Sequence, residues 1–240
     1  MKLRNLLFTA LMALTAATAA AETQQYSLKL EDFSNLQVTD GINVVYHTST
    51  DSAGIITYEC TPEMADKLIF ESGKNRLKVQ LATDEDGTPA GLPTVHVRSA
   101  ALAKVENSGD STLTVLLDGP LTKFSAVVVG NGELIVKGIY ASSVGARIST
   151  GNGHLVLSGR AASLSLNNIG TGSIEAGKLE AKEVKCIVTG TGSIDCCATQ
   201  RLRILGAGSG KVFYTGNPGK VSNNSIGIKA FDMNSSDTQE

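Results

Sequence analysis

Two carboxylates hold matching places in a recurring segment. Glu175 lies in Gly172-Ser173-Ile174-Glu175 and Asp195 in Gly192-Ser193-Ile194-Asp195. If the segments stack, the acids lie side by side, and one pKa rises because like charges resist ionising together. Clustered acids that hold calcium, with a basic residue to remove a proton, are the equipment of a polysaccharide lyase. Lys178, Lys182, Lys185 and Arg201 supply cations nearby. The same residues read more simply as a solvated face laced with salt bridges. Other enzymatic signatures fail at the residue level. Gly206 to Lys211 loosely resembles a phosphate loop, but Leu205 stands where its first glycine belongs and Val212 follows the lysine. Neither Gly-x-Ser-x-Gly nor His-Glu-x-x-His occurs. The histidines, His47, His96 and His154, are scattered, and Cys60, Cys186, Cys196 and Cys197 contain no Cys-x-x-Cys. The expectation is no catalytic residue, no metal and no cofactor, with Cys186 and Cys196 as the plausible disulfide pair if the thiols are not all simply buried.

A second pattern concerns binding. Asp110, Asn131, Asn152, Thr171, Thr191 and Ser209 each follow a glycine at a regular interval. Stacked, they form a polar ladder along one edge that can hydrogen-bond an extended glycan or peptide. The competing explanation is turn chemistry, because Asn, Asp, Ser and Thr satisfy turn backbones locally. Tryptophan is absent and aromatics are 5% of the chain, so the stacking platforms common in sugar sites are scarce and an aromatic-platform sugar site is not favoured.

Both patterns depend on one element. From residue 105 a glycine mark recurs at Gly109-Asp110-Ser111, Gly130-Asn131-Gly132, Gly151-Asn152-Gly153, Gly170-Thr171-Gly172, Gly190-Thr191-Gly192 and Gly208-Ser209-Gly210. The intervals are 21, 21, 19, 20 and 18 residues, a period that signals a solenoid. Four residues after each mark's first glycine stand Leu113, Leu134, Leu155, Ile174, Ile194 and Val212. Six residues after it stand mostly apolar residues, and three after it polar ones, so the period is two and each unit carries a half-buried strand. A second turn follows at Asp118-Gly119, Lys137-Gly138, Ser158-Gly159 and Thr215-Gly216. A second strand then returns to the next mark. Two or three short strands per coil and no helix signal predict a parallel β-helix, with an antiparallel barrel or sandwich as the alternative. The mark glycines are expected to serve backbone angles with φ > 0.

The chain's 240 residues bury a core of real size. Residues 1–21 read as a signal peptide: Lys2 and Arg4, an apolar run from Leu6 to Leu14, and Ala19-Ala20-Ala21 at the cleavage site. Removing Lys2 and Arg4 leaves 19 basic residues against 23 acids, a net charge of −4, which speaks against a nucleic-acid binder. No later stretch reaches the length of a membrane span. Residues 22–104 are less regular. Strands are expected over 33–38, 42–47, 54–60, 77–81 and 94–98. A short helix follows Thr61-Pro62 to Lys67 or Leu68. Thr83–Gly91 reads as a polar loop. Residues 105–233 form the regular coils, and 234–240 a frayed polar tail.

In the first half, Phe33-x-x-Leu36-x-Val38-x-Asp40-Gly41-Ile42-Asn43-Val44 resembles the Gly-Ile-Asn "head" motif of putative auto-transporter adhesins, a domain of unknown function common in exported proteins of Bacteroidetes. Pro62, Leu77-Lys78-Val79, Thr94–Arg98 and Glu106-Asn107-Ser108-Gly109-Asp110 agree with it in order. The resemblance covers about residues 30–230. It implies a right-handed single-stranded β-helix, export or a cell-surface location, and no catalytic residues. The resulting expectation is an all-β, non-enzymatic cell-envelope protein, adhesive or structural, in the periplasm, on the surface or secreted. Its partner would be a protein or glycan. Homo-oligomers could form at the solenoid end near Val221–Phe231. The alternative is a periplasmic polysaccharide-binding or polysaccharide-processing β-helix.

Overall fold

A computed structural model describes residues 22–82 and 91–234. The expected signal peptide (1–21), most of the expected polar loop (83–90) and most of the expected polar tail (235–240) lie outside the described residues. The elements run β1 (Gln24–Lys29), β2 (Asn35–Val38), β3 (Val44–Thr48), β4 (Ile55–Cys60), α1 (Pro62–Ala65), β5 (Leu68–Gly73), β6 (Arg76–Leu81) and β7 (Val95–Ser99). They continue as β8 (Lys104–Asn107), β9 (Thr112–Leu116), β10 (Leu121–Val128), β11 (Glu133–Ile148), β12 (His154–Gly170), β13 (Ser173–Gly190), β14 (Ser193–Gly208), β15 (Lys211–Thr215), β16 (Lys220–Ile226) and β17 (Lys229–Asp232).

The parallel pairings sort these strands into two columns joined by the glycine marks. One column stacks β6, β2, β8, β10, the later halves of β11 to β14, and β16. The other stacks β7, β3, β9, the earlier halves of β11 to β14, β15 and β17. This is a β-solenoid. Thr112 pairs with Glu133, Glu133 with His154, His154 with Ser173, Ser173 with Ser193 and Ser193 with Lys211. Those offsets reproduce the intervals between the glycine marks in the sequence. Like therefore stacks on like. Leu113, Leu134, Leu155, Ile174, Ile194 and Val212 form one row at no more than 1% exposure. Coils stack at the interstrand spacing of about 4.8 Å, so each aliphatic ring packs against the next and the core runs unbroken along the rod.

Two expectations change. The second turn does not end the strand. β11 to β13 pass through it with a register shift, at Val136/Ile139, Val156/Ser158 and Ala176/Glu180, so the ladder bends without stopping. The mark glycines also do more than supply positive φ. Gly130, Gly151, Gly170, Gly190 and Gly208 do have φ between +80° and +135°. Gly109, Gly132, Gly153, Gly172, Gly192 and Gly210 do not, yet a Cβ on Gly172, Gly192 or Gly210 would sit 2.3–2.5 Å from the carbonyl oxygen of a glycine one coil back. Close stacking of the turns excludes a side chain there.

The first half is threaded out of order. β2 and β3 lie between the β6–β7 coil and the β8–β9 coil, so Leu36 pairs with both Leu77 and Val105. The Asp40-Gly41-Ile42-Asn43 segment forms this coil's turn. Asp40 has φ +64°, and its carboxylate accepts the Leu81 N–H at 2.9 Å. Ile42 is fully buried, its carbonyl accepts the Ser111 hydroxyl at 2.6 Å, and the Asn43 side-chain oxygen accepts the Thr112 N–H at 3.1 Å. The motif thus joins a coil to neighbours 41 and 69 residues away in sequence. The helix is shorter than expected, and Thr61 takes the cap position without a side-chain bond.

The two ends differ. β5 pairs antiparallel with β6, β4 with β7 and β1 with β4, so antiparallel strands cover the first end. At the other end β16 and β17 have no further strand partner among the described residues, and Ile226 is 79% exposed. No helix of the described residues is long and apolar enough to cross a membrane.

Candidate functional site

Every rung of the polar ladder is solvent-exposed. Asp110, Asn131, Asn152, Thr171, Thr191 and Ser209 occupy the turns between the two columns, one per coil. The structure brings all six to one edge. Part of their hydrogen-bonding capacity is spent within the ladder: the Asn131 side-chain oxygen accepts the Asn152 N–H at 3.1 Å, and the Thr171 hydroxyl reaches the Gly151 carbonyl at 3.3 Å and the Asn152 side chain at 3.4 Å. The turn chemistry and an outward polar edge therefore coexist.

The stacked acids are also brought together. Glu175 and Asp195 pair directly across β13 and β14. They differ in what holds them. Glu175 contacts Nε2 of His154 at 3.0 Å, while Nδ1 of the same ring meets Glu133 at 3.1 Å. Asp195 folds back onto the Gly177 turn, where the N–H groups of Gly177 and Cys196 bond its carboxylate. Burial pushes the Asp195 carboxyl above the usual carboxylate range and the Glu175 charge adds to the rise, against those two backbone bonds. A carboxyl raised on folding contributes stability that is complete below its unfolded pKa and lost as pH rises through its folded one. Asp195→Asn keeps an oxygen for the Gly177 N–H and removes the half-buried charge. Its Tm is expected to exceed that of the wild type at neutral pH, with the gap closing in acid. A lower Tm at pH 7 would show that the charge itself is needed. Of the cations expected beside this pair, Lys185 and Arg201 lie instead on the other column's outer face.

All four cysteines are thiols. Cys186 and Cys196 face each other across the core with sulfurs 3.8 Å apart, both fully buried. The bond to Cys196, then burial, holds the Cys186 thiol well above its ordinary pKa, so it is a poor nucleophile. No group of three or more His, Cys, Asp or Glu among the described residues is placed to hold a metal ion.

One surface was not visible in the sequence. Ser143, Ser163, Ser165, Glu183, Lys185, Arg201 and Arg203 line a shallow depression of about 290 Å³ on the outer face of the first column. Only the 18–20-residue spacing of Ser163, Glu183 and Arg201 signalled it.

Several solved structures share this architecture. The crystal structure of a putative adhesin from Bacteroides fragilis superposes with a TM-score of 0.80 at 20% identity, covering 89% of this chain and 98% of that one. One described as a putative lipid binding protein, from Parabacteroides distasonis, gives 0.70 at 19%, covering 88% and 97%. A putative adhesin from Parabacteroides merdae gives 0.68 at 18%, covering 88% and 97%. At such identities the likeness is one of fold. No curated protein matches the chain. The family model described as "putative auto-transporter adhesin, head GIN domain" matches residues 32–218, the span that holds both the threaded Gly41-Ile42-Asn43 coil and the glycine-marked coils, and the chain belongs to that family.

Proposed function

We propose that the protein is an exported, non-enzymatic interaction module of the cell envelope, an adhesin head whose mature form begins near Glu22. The observation that carries this reading is the alignment of six exposed polar rungs, Asp110, Asn131, Asn152, Thr171, Thr191 and Ser209, along one edge of a rigid solenoid. A solenoid offers long, regular surfaces rather than an enclosed pocket, and such surfaces suit extended partners. The partner class is an extended protein or glycan chain. The acids that suggested lyase chemistry are engaged by His154 and by backbone N–H groups, which favours binding over processing. The Parabacteroides distasonis relative described as a putative lipid binding protein suggests lipid as a further partner, but no apolar residue is among the six rungs.

The test is protease treatment of intact cells beside fractionated ones. Mature protein is expected to be removed from whole cells. Cells carrying Asn152→Lys and Thr171→Lys are expected to attach less well at unchanged surface level. Protein that survives until the outer membrane is broken would place it in the periplasm and end the adhesive reading.

A further inference from the structure

The depression on the first column's outer face has a consistent chemistry. Register builds it in two rows. Ser143, Ser163, Glu183 and Arg201 align across successive strands, and Gly145, Ser165, Lys185 and Arg203 align beside them. Small residues on two coils meet long charged ones on the next two, which leaves a low floor of hydroxyls against a cationic wall. Lys220 extends the first row by one coil beyond Arg201. Glu183 is the one acid lining the depression and lies 3.4 Å from Arg201. Lys185, Arg201 and Arg203 are all exposed. Three cations thus share the surface with one carboxylate, on a chain whose mature net charge is negative.

We infer that this groove binds a linear glycan carrying carboxylates, a uronic-acid polymer. Arginine's planar fork matches a carboxylate with two parallel hydrogen bonds. The serine floor offers donors and acceptors to sugar hydroxyls. The flat run of stacked strands accepts an extended chain and has no walls to close over a small molecule. A lipid surface fits less well, because interfacial binding needs apolar side chains beside the cations. Leu164 and Val184 also line the groove, but both are buried in the core, and the large exposed apolar residues, Tyr140, Val221, Ile226, Phe231 and Met233, do not line it. Single-stranded nucleic acid is captured by aromatic stacking, and no aromatic residue lines it. The inference rests on reading the protein as an interaction module, but it assigns a surface and ligand class separate from the turn ladder.

The test uses purified mature protein and four probes: oligogalacturonate, neutral dextran, phosphatidylglycerol vesicles and a single-stranded DNA oligomer. Oligogalacturonate is expected to bind, dextran is not, and binding is expected to weaken with added salt. Arg201→Gln with Arg203→Gln is expected to weaken it by about tenfold or more. Glu183→Gln removes the opposing charge and is expected to tighten it, a gain that misfolding cannot produce. Lys78→Gln, on a different coil, is expected to change nothing. Oligogalacturonate binding that is absent, or equal in the double variant and the wild type, overturns the inference. So does tighter binding of vesicles or DNA than of the glycan. Because the assay is independent of where the protein sits in the cell, its failure leaves the surface-location result standing, and the converse also holds.

Discussion

Replacing Gly109 with alanine is expected to destabilise the protein by about 3–5 kcal/mol, a large fraction of the stability of an ordinary domain. A Cβ at this position would lie 1.6 Å from the Asp40 carbonyl oxygen and 2.6 Å from its carbon. No rotamer relieves that contact, because both partners are backbone. Asp40 cannot retreat freely. Its carboxylate is tied to the Leu81 N–H, and the neighbouring Val38 carbonyl accepts the Ser108 N–H at 2.8 Å. A shift at Gly109 therefore opens the junction between the β2–β3 coil and the β8–β9 coil, and with it the Ile42 and Asn43 contacts to Ser111 and Thr112. Gly73→Ala is the control: its Cβ meets nothing within 4 Å, and a change near zero is expected. Thermal and urea unfolding of both variants checks the contrast. A near-neutral Gly109→Ala would mean that the turn can slide, and that the motif does not lock the threaded coil.

How much of this was legible in the sequence depends on what the period encodes. The coils from residue 105 onward were readable because a parallel stack turns sequence spacing directly into strand register. Leu134 lies on Leu113, and Leu155 on Leu134. The turn ladder was readable for the same reason. The first half carried no such signal. β2 finds its partners at residues 76–79 and 104–107, and no local pattern announces a coil inserted between two others. The family motif pointed to the fold, while the contacts of Ile42 and Asn43 reach Ser111 and Thr112, far outside the motif's own segment. The cationic groove escaped for a different reason. Lys185 and Arg203 are unremarkable in their own segments and become neighbours only once Cys186 is seen to pair with Ile204. Second glycines such as Gly172, Gly192 and Gly210 read in the sequence as serving backbone angle, whereas the carbonyl one coil away is what requires them.

The buried asparagines carry the second large effect. In the first column's last inward row, Val38, Val79, Val128, Ile148 and Val188 are aliphatic, but Asn107 and Asn168 are not, and both are fully buried. Asn107 donates to the Ser111 and Glu133 carbonyls, each at 2.8 Å, and its oxygen accepts the Gly109 N–H at 3.1 Å. Asn168 donates to the Gly172 and Ser193 carbonyls at 2.7 and 3.0 Å, but its side-chain oxygen has no partner. Valine at either position restores the aliphatic row and fits the volume roughly. The difference lies in what is left behind. Asn107→Val leaves the Gly109 N–H without its partner, at about 1–3 kcal/mol for a buried group left unpaired, and takes one donor each from the Glu133 carbonyl and from the Ser111 carbonyl, which keeps the Glu133 N–H at 3.0 Å. Asn168→Val takes one donor each from the Ser193 carbonyl and from the Gly172 carbonyl, which keeps the Ser193 N–H at 3.1 Å, and also removes an oxygen already buried without a partner. Asn107→Val is therefore expected to cost about 2–3 kcal/mol, and Asn168→Val roughly half of that. Urea midpoints of the two variants, measured at equal m-value, decide it. Equal losses would mean that the bonded oxygen of Asn107 contributes nothing. A stabilised Asn168→Val would mean that the unpaired oxygen outweighs both bonds, and that an unbroken aliphatic row suits this coil better than the residue it carries.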